Sequence, residues 1–397
     1  MRSDAIVIGG GPAGAIASLL LARAGWSVAV IEKMEFPRRK VCGEFLSATN
    51  LPLLRELGLA EHFLDLAGPA VRSVGVFAGD QAVVGDMPPL DNDRHSWGHA
   101  VGRERLDALL LDRAVRCGAR LWQPYSAIDV RREAGTFVCS IAATHTKQTF
   151  QLQGRVLIAA HGSWEAGPLA TQSARAAARP SDLFGFKGRF LDSRLQPGLM
   201  PLLAFPGGYG GMVHTDRHRV SLSCCIRRDY LERCRREQPG MSAADAVLAH
   251  ITRKCAGARE ALDGAALEPN SWRSAGPIQP GIRATHRAGM FLIGNAAGEA
   301  HPIVAEGISM AMQSAWLLAQ RLISPELASL EHSAAEYDRD WRRAFSWRIR
   351  AAAGIAHWAM RPAPVALTLP LLRVFPLILT ESARATGKVS ALCSPSC

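Results

Sequence analysis

The sequence has no apolar run of about 18 residues that is free of Arg and Pro, so we predict no membrane-spanning helix. Its nine cysteines include no paired C-x-x-C and no Cys/His cluster with zinc spacing, which predicts reduced thiols and no metal site. The apolar stretch at the N-terminus is interrupted by three glycines, so we do not expect a signal peptide there. Together these absences favour a cytoplasmic protein.

Charge of one sign is not concentrated in any part of the chain. The net charge is +11, but the basic residues are scattered and form no motif that binds DNA or RNA. We therefore expect no nucleic-acid partner, and the excess of basic residues favours an anionic cofactor, an acidic substrate or a membrane surface. With 48% hydrophobic residues in 397, the chain can bury two or three packed regions.

The N-terminal stretch has the order of elements that is typical of a dinucleotide-binding unit. Residues 5–8 are apolar and predict a buried strand, and residues 15–24 are rich in Ala and Leu and predict a helix. Residues 26–31 predict a second buried strand, which ends at Glu32. A carboxylate in this place binds the ribose hydroxyls of a dinucleotide and repels a 2′-phosphate.

Three glycines connect the first strand to the helix in the pattern G-x-G-x-x-G. Gly9 permits the tight turn, Gly11 lets the backbone approach a pyrophosphate, and Gly14 lets the helix pack close to the strand. We expect the phosphates at the helix N-terminus, where free N–H groups and the helix dipole favour negative charge.

A basic loop, Pro37-Arg38-x-Lys40-x-Cys42-Gly43, follows the unit. With the glycine triplet and Glu32, it resembles the FAD-dependent superfamily of geranylgeranyl reductases, aromatic-ring hydroxylases (flavin monooxygenases) and flavin-dependent halogenases. The resemblance implies an α/β fold, with a Rossmann-like FAD-binding domain of the glutathione-reductase type, an inserted mixed or antiparallel substrate-binding sheet and a C-terminal helical segment.

Two further segments extend the resemblance. Residues 101–110 are similar to the family's R-x-x-[FL]-D-x-x-L helix, whose arginine contacts FAD. Residues 289–308 are similar to its G-D-A-A-G segment along the ribityl chain and flavin, with Asn295 in place of aspartate. Gly307 there opens an apolar helix whose N-terminus would stabilise negative charge on the reduced ring. The cofactor-binding residues implied are Gly9, Gly11, Pro12, Ala13, Gly14, Glu32, Lys33, Arg39, Cys42, Arg103, Gly294, Asn295, Pro302, Gly307 and Ile308.

The source of electrons is less well marked. The family's A-D-G motif, whose aspartate helps to position the cofactor and in some members the reductant, reads Ala160-His161-Gly162 here. We therefore expect NAD(P)H to serve either directly, during a transient visit, or indirectly, through a separate flavin reductase. An alternative role for His161 is to hold the turn by hydrogen bonds.

Short strand candidates punctuated by glycines, between residues 184 and 226, predict the substrate-binding sheet. Isoprenoid reductases of the family carry Y-x-W-x-F-P there, of which residues 201–206 keep only Phe-Pro. The W-x-W-x-I-P motif and the lysine of the halogenases are also missing. The resemblance then favours a monooxygenase, in which reduced FAD reacts with oxygen at C4a and one atom goes to a lipophilic or aromatic, polyketide-type substrate.

Cys42-Gly43 keeps a flavin-dependent double-bond reductase open as the alternative, and a non-catalytic electron carrier is a further one. The small-molecule pocket has five candidate wall residues, which are Cys42, Glu44, Tyr209, His214 and His301.

We expect residues 1–70, 98–165 and 273–330 in the FAD-binding domain, 71–97 and 166–272 in the substrate-binding sheet, and 331–397 in the helical segment. Residues 346–380 alternate apolar clusters with arginines, and four prolines should break them into short pieces. We expect these pieces to pack over the cofactor domain and close the pocket. The alternative is a peripheral contact with an anionic membrane that admits a lipophilic substrate.

Overall fold

The computed structural model describes residues 1–90, 96–146, 148–163, 167–172, 177–324 and 329–386. The strands in chain order are β1 (Arg2–Ile8), β2 (Val28–Ile31), β3 (Phe45–Leu46), β4 (Ser73–Ala78), β5 (Gln81–Asp86), β6 (His99–Ala100), β7 (Arg120–Trp122), β8 (Tyr125–Glu133), β9 (Thr136–Ala143), β10 (Thr149–Ala159), β11 (Leu183–Leu191), β12 (Leu199–Phe205), β13 (Gly208–His214), β14 (Val220–Arg227), β15 (Ala266–Leu267), β16 (Arg273–Ile278), β17 (Gly281–Ile282), β18 (His286–Arg287), β19 (Met290–Leu292) and β20 (Gly298–Glu299). The α-helices are α1 (Pro12–Arg23), α2 (Leu51–Glu56), α3 (Ala60–Leu66), α4 (Arg103–Arg116), α5 (Arg228–Glu237), α6 (Ala243–Lys254), α7 (Ala256–Ala261), α8 (Gly307–Ile323), α9 (Leu330–Ala359), α10 (Pro362–Val374) and α11 (Leu377–Ala385).

The first sheet has a parallel centre in the order β19-β10-β1-β2-β7, with β18 on one edge. Strands β9 and β8 extend it through the first half of β10. Ile8, Ile31 and Ala159 are level in the register, so their strands end at one edge of the sheet. In an open α/β sheet this carboxyl edge is where ligands bind.

Side chains of β1 alternate between two cores, as expected of a strand that is buried on both faces. Ala5 and Val7 face helices α1, α4 and α8, whereas Ile6 and Ile8 face the aliphatic and aromatic side chains of β9. The sheet is therefore covered on both sides. The architecture confirms the predicted fold class.

The second sheet has the order β15-β11-β14-β13-β12-β4-β5 and is antiparallel except for the parallel pair β12/β4. The expected boundary at residue 273 needs a correction, because Arg273–Ile278 pairs with β11 and belongs to this sheet. Its backbone finds its hydrogen-bond partners there, which local sequence does not reveal. The expected boundary at 165–166 and residues 387–397 of the predicted helical segment lie outside the described residues.

The C-terminal helices cover one face of the second sheet, opposite the face on which α5, α6 and α7 pack. Side chains of α9, α10 and α11, including Ala356, Val365, Leu369 and Leu379, pack against Val76 and its neighbours on the sheet. The tail is less fragmented than predicted. Pro370 lies inside α10, and the helices break only near residues 361 and 376.

Candidate functional site

The turn after β1 gives its glycines different environments. Gly9 has a left-handed φ of +109°, which permits the turn. A Cβ on Gly14 would lie 1.8 Å from the carbonyl oxygen of Gly9, so this residue sits where helix and turn touch. A Cβ on Gly11, at the N-terminus of α1, would meet only an Arg38 nitrogen at 4.0 Å. Gly11 therefore faces an open space that the free N–H groups of α1 border.

Glu32 is buried at the adjacent strand end. Its carboxylate accepts hydrogen bonds from the backbone N–H groups of Gly10 (2.8 Å) and Met34 (2.9 Å), and an Arg38 nitrogen lies 3.5 Å away. These contacts fix the loop that carries Lys33, at the mouth of the cleft.

Arg38 was not among the cofactor residues that we predicted, although it stands in the quoted motif. Its Nε and Nη1 atoms are buried without a hydrogen-bond partner among the described residues. Arg39, which we did predict, lies 3.5 Å from Glu268, and its Nη1 donates to the carbonyl of Asn270. Both arginines line the cavity, but only Arg38 has these two unpartnered nitrogens.

Arg103 is held from the first turn of α4. Its Nε and Nη2 donate to the two carboxylate oxygens of Asp107, at 2.7 and 2.8 Å. Burial alone would lower the pKa of Arg103, but Asp107 and the Cys42 thiol raise it. Lys40 lies in the same buried cluster, where burial and the charges of Arg38 and Arg103 lower its pKa to about 8. Positive charge is thus concentrated beside the open space at Gly11.

The segment before α8 forms the other side of the cleft. Asn295 donates through Nδ2 to Glu299 (3.0 Å), whose second oxygen accepts from Ser163 (2.7 Å). A carboxylate thus lies next to the position where the family has aspartate. The side-chain oxygen Oδ1 of Asn295 takes no part in the bond to Glu299. Gly307 begins α8 with nothing within 4 Å of its Cβ position.

These residues fit the FAD that the sequence predicts. The open spaces at Gly11 and Gly307 mark places where backbone N–H groups of two helix N-termini can approach a ligand. The unpartnered nitrogens of Arg38 suit an anionic group beside Gly11. The same cavity is lined by every predicted cofactor residue except Gly14, namely Gly9, Gly11, Pro12, Ala13, Glu32, Lys33, Arg39, Cys42, Arg103, Gly294, Asn295, Pro302, Gly307 and Ile308.

Tyr209 and His301 form a buried pair in the second half of the cavity. The Tyr209 hydroxyl lies 3.1 Å from Nδ1 of His301, and only Tyr209 reaches the cavity surface. Burial, and then the nearby His357, lower the pKa of His301 to about 4, so this imidazole is neutral at pH 7. Burial raises the pKa of Tyr209, which is therefore also uncharged.

Two predicted wall residues have other roles. His214 bonds through Nε2 to the carbonyl of Leu195 (2.7 Å) and lies outside the cavity wall, because the register of β13 turns it away. Glu44 lines the cavity, but its buried carboxylate pairs with Lys187 and with Arg189 (2.9 Å) on β11. One of its oxygens also accepts from the backbone N–H of Arg103 at 3.0 Å. Glu44 thus connects the basic loop to both domains.

His161 has both ring nitrogens engaged. Nδ1 lies 2.9 Å from the carbonyl of Gly162 and must donate to it, so Nε2 accepts from the Thr171 hydroxyl, also at 2.9 Å. These contacts favour the turn-holding role for this histidine.

One cavity of about 1160 Å³ joins the two halves of the site. This exceeds the roughly 300–1,000 Å³ of pockets that hold one drug-sized ligand. Beyond the cofactor residues, its walls are mostly aliphatic. They come from β4, β12 and β13 of the second sheet and from α9, α10 and α11, and include Val74, Val76, Met200, Leu202, Met212, Ile355, Trp358 and Leu372.

No group of three metal-binding side chains occurs in the described ranges.

Comparison with known proteins places this site in a family. A family model for an FAD binding domain matches residues 2–352. The chain is 27% identical to a menaquinone reductase of Mycobacterium tuberculosis over 98% of its own length and 88% of that protein. It is similar to the solved structure of a myxobacterial chondrochloren halogenase, with a TM-score of 0.76 and 21% identity over 97% of this chain and 91% of that one. It is also similar to PqsL of P. aeruginosa, with a TM-score of 0.75 and 17% identity over 93% and 100%. At these identities the structural likenesses establish the fold.

Proposed function

This chain belongs to the FAD-binding-domain family of flavin-dependent oxidoreductases, and from that premise we propose that it is a monooxygenase that hydroxylates or epoxidises a lipophilic or aromatic small molecule. Bound FAD supplies the redox chemistry, which includes reaction with dioxygen once it is reduced. The observation that carries the proposal is the chamber beside the cofactor residues, which is apolar except for a few polar groups such as Tyr209.

The apolar walls suit a lipophilic substrate. Burial of apolar surface contributes about 25 cal/mol per Å², so aliphatic walls of this extent can hold an alkyl chain without charged partners. They also exclude water from the reacting groups, which protects reactive intermediates from hydrolysis.

The Tyr209–His301 pair can hold and orient a substrate hydroxyl. The Tyr209 hydroxyl can donate to the neutral Nδ1 of His301, which leaves the Tyr209 oxygen able to accept a hydrogen bond from that hydroxyl. A hydrogen bond donated by a phenol polarises its O–H bond and enriches the ring in electrons, and an electron-rich ring is the better acceptor of an oxygen atom. His301 does not touch the cavity, so we assign it the role of a positioning residue behind Tyr209.

A double-bond reductase is the second candidate function, and one contact favours it. Cys42 lines the cavity and is hydrogen-bonded with Arg103, so its thiol could supply the proton that accompanies hydride transfer to a double bond. The similarity to a menaquinone reductase points the same way. Against it, burial raises the pKa of Tyr209, Cys224 and Cys225, so these wall groups are poor proton donors.

A phenol with a long alkenyl side chain distinguishes the two reactions, because it offers both a ring and a double bond. We expect the reduced, FAD-loaded protein to add one oxygen atom to it under air and to leave it unchanged under nitrogen. Tyr209→Phe should keep its FAD and lose about tenfold in rate, because it removes one substrate hydrogen bond of about 1.5 kcal/mol. Saturation of the double bond under nitrogen would instead establish the reductase.

The same assay addresses the source of electrons. Because His161 is committed to the turn, we propose that a separate flavin reductase delivers them, or that NAD(P)H visits only transiently. NADPH alone should therefore support slower turnover than NADPH with a flavin reductase. Reduction of the flavin by NADPH alone at a rate above turnover with any partner would contradict this proposal.

A further inference from the structure

The connection between α10 and α11 exposes a cluster of apolar side chains, which we call the apex and define as residues 374–378. The two helices bend by 111° here. Val374, Phe375 and Leu377 are 68%, 55% and 73% exposed, and Leu367 on the outer face of α10 is 81% exposed. Scattered apolar residues on a surface need no explanation, but a contiguous group at one bend usually marks a contact site.

The opposite side of the same two helices is fully packed, so the exposure does not reflect loose structure. Leu369, Leu372 and Leu379 are buried in the core against the second sheet. The apex therefore projects from helices that the fold holds in place.

The apex borders the mouth of the cavity. Leu371 and Ile378 are exposed to the surroundings, at 51% and 38%, and they also line the cavity wall. A molecule that reaches the apolar chamber between these two side chains would first meet the apex.

Basic residues lie on both helices of the bend, with Arg373 next to the apex and Arg361 and Arg384 at the far ends of α10 and α11. Arg361 precedes α10 and Arg373 lies in its last turn, and both are exposed. Neither has an ion-pair partner among the residues that the structure describes. Arg384 lies in the last turn of α11, 3.4 Å from Glu381. Apolar side chains at a bend whose two helices carry exposed arginines match a bilayer, whose tails accept the former and whose anionic headgroups attract the latter.

No single helix within the described ranges is long and apolar enough to cross a membrane. Only α10 and α11 together pass by length and composition, and they are bent at the apex. The bent arrangement suits a wedge in one leaflet.

We propose that the apex inserts into the surface of an anionic lipid bilayer and that a lipophilic substrate enters the cavity from the bilayer between Leu371 and Ile378. The route of the substrate rests on the proposed function, but the membrane contact does not. A protein partner seated on the apex would cover the mouth, whereas lipid leaves it continuous with the phase in which such a substrate dissolves.

Co-sedimentation of the full-length, FAD-loaded protein with vesicles tests the contact. We expect the protein to sediment with vesicles that contain phosphatidylglycerol, much less with pure phosphatidylcholine, and progressively less with added salt. Val374→Glu with Leu377→Glu should abolish sedimentation. Arg361→Gln with Arg373→Gln should weaken it about thirty-fold, the effect expected for two arginines at an anionic surface.

Matched variants control for charge and exposure elsewhere. Met241→Glu changes an exposed apolar residue before α6, and Arg235→Gln with Arg236→Gln removes two exposed charges from α5. Both control proteins should sediment like the wild type. The FAD content and melting temperature of every variant should also match the wild type.

Three outcomes would overturn the proposal. They are no sedimentation of the wild type at low salt, equal losses in apex and control variants, and a wild-type dimer that the apex substitutions convert to a monomer without any vesicle binding. Oxidation of a short-chain, water-soluble phenol tests the proposed reaction independently of the membrane contact. Such a substrate needs no membrane, and neither Val374 nor Leu377, which the apex variants change, lines the cavity. If that oxidation persists without vesicle binding, only the membrane contact fails; if binding persists without oxidation, only the proposed function fails.

Discussion

Gly11 and Gly14 are three residues apart, yet they should respond to substitution in opposite ways. We expect Gly11→Val to fold and to lose FAD binding, because its side chain would occupy the open space at the N-terminus of α1. The cost in the free energy of unfolding should be about 1 kcal/mol, since valine is a poorer helix N-cap than glycine. Titration with FAD and chemical denaturation of the apoprotein measure the two effects.

Gly14→Val provides the contrast. Its Cβ would lie 1.8 Å from the Gly9 carbonyl oxygen, so this variant should be destabilised before any cofactor is added. A Gly11→Val protein that still binds FAD like the wild type would show that the pyrophosphate does not occupy this space.

His301 should make the stability of the protein sensitive to pH. Its pKa is about 4 in the folded protein and about 6.5 when unfolded, so the unfolded chain binds a proton that the folded one does not between these values. The stability contributed by keeping this imidazole neutral is therefore complete above pH 6.5 and declines as the pH falls. At pH 5 the loss is about 2 kcal/mol.

The His301→Gln variant should lack this decline. Denaturation curves at pH 7.5 and pH 5 should therefore show the variant gaining about 2 kcal/mol relative to the wild type at the lower pH. Tyr209→Phe is the control, because it removes the hydrogen-bond partner and keeps the buried imidazole. A stability difference between His301→Gln and wild type that is the same at both pH values would mean that His301 titrates normally.

Residue motifs in the sequence predicted backbone positions better than side-chain directions. The glycine triplet, Glu32 and Gly307 could be placed because each belongs to a local pattern whose geometry the backbone dictates. The sequence did not single out Arg38, because the burial of its two unpartnered nitrogens depends on tertiary contacts. His214 was misplaced for a similar reason, since its direction depends on the register of β13.

At the scale of elements, capped and periodic segments were predictable. Ser242 caps α6 by accepting from the backbone N–H of Asp245 at 3.2 Å, an arrangement typical of a serine at a helix N-terminus. The prediction that every proline would break the tail was wrong at Pro370. This proline and Ala366, whose carbonyl loses its partner, are both exposed, so water can replace the missing hydrogen bond.

The strand pairings of the second sheet, which forms the substrate half of the cavity, were the least predictable from the sequence. Strand β4 pairs with β12 more than a hundred residues later, and β16 returns to β11 after several helices. Such pairings depend on long-range packing and leave no local signal. The sequence therefore predicted a separate sheet, but neither its order nor its last strand.

At the scale of the whole molecule, the site exists because segments far apart in the chain meet in one cleft. Tyr209 and His301 are 92 residues apart, and Glu44 and Arg189 are 145 apart. The buried pairs between Glu44 and β11 hold the basic loop against the second sheet, so cofactor and substrate residues share one cavity. We therefore expect FAD and a lipophilic substrate to occupy this cavity side by side.

The visible absorbance spectrum of the FAD-loaded protein tests that claim most directly, during titration with a long-chain alkylphenol in the absence of a reductant. We expect a saturable change in the flavin bands, because the ligand would displace water beside the ring and alter the polarity around it. The change should be smaller in Leu202→Trp, which narrows the apolar wall. An alkylphenol that binds the protein and leaves the flavin spectrum unchanged would contradict the account.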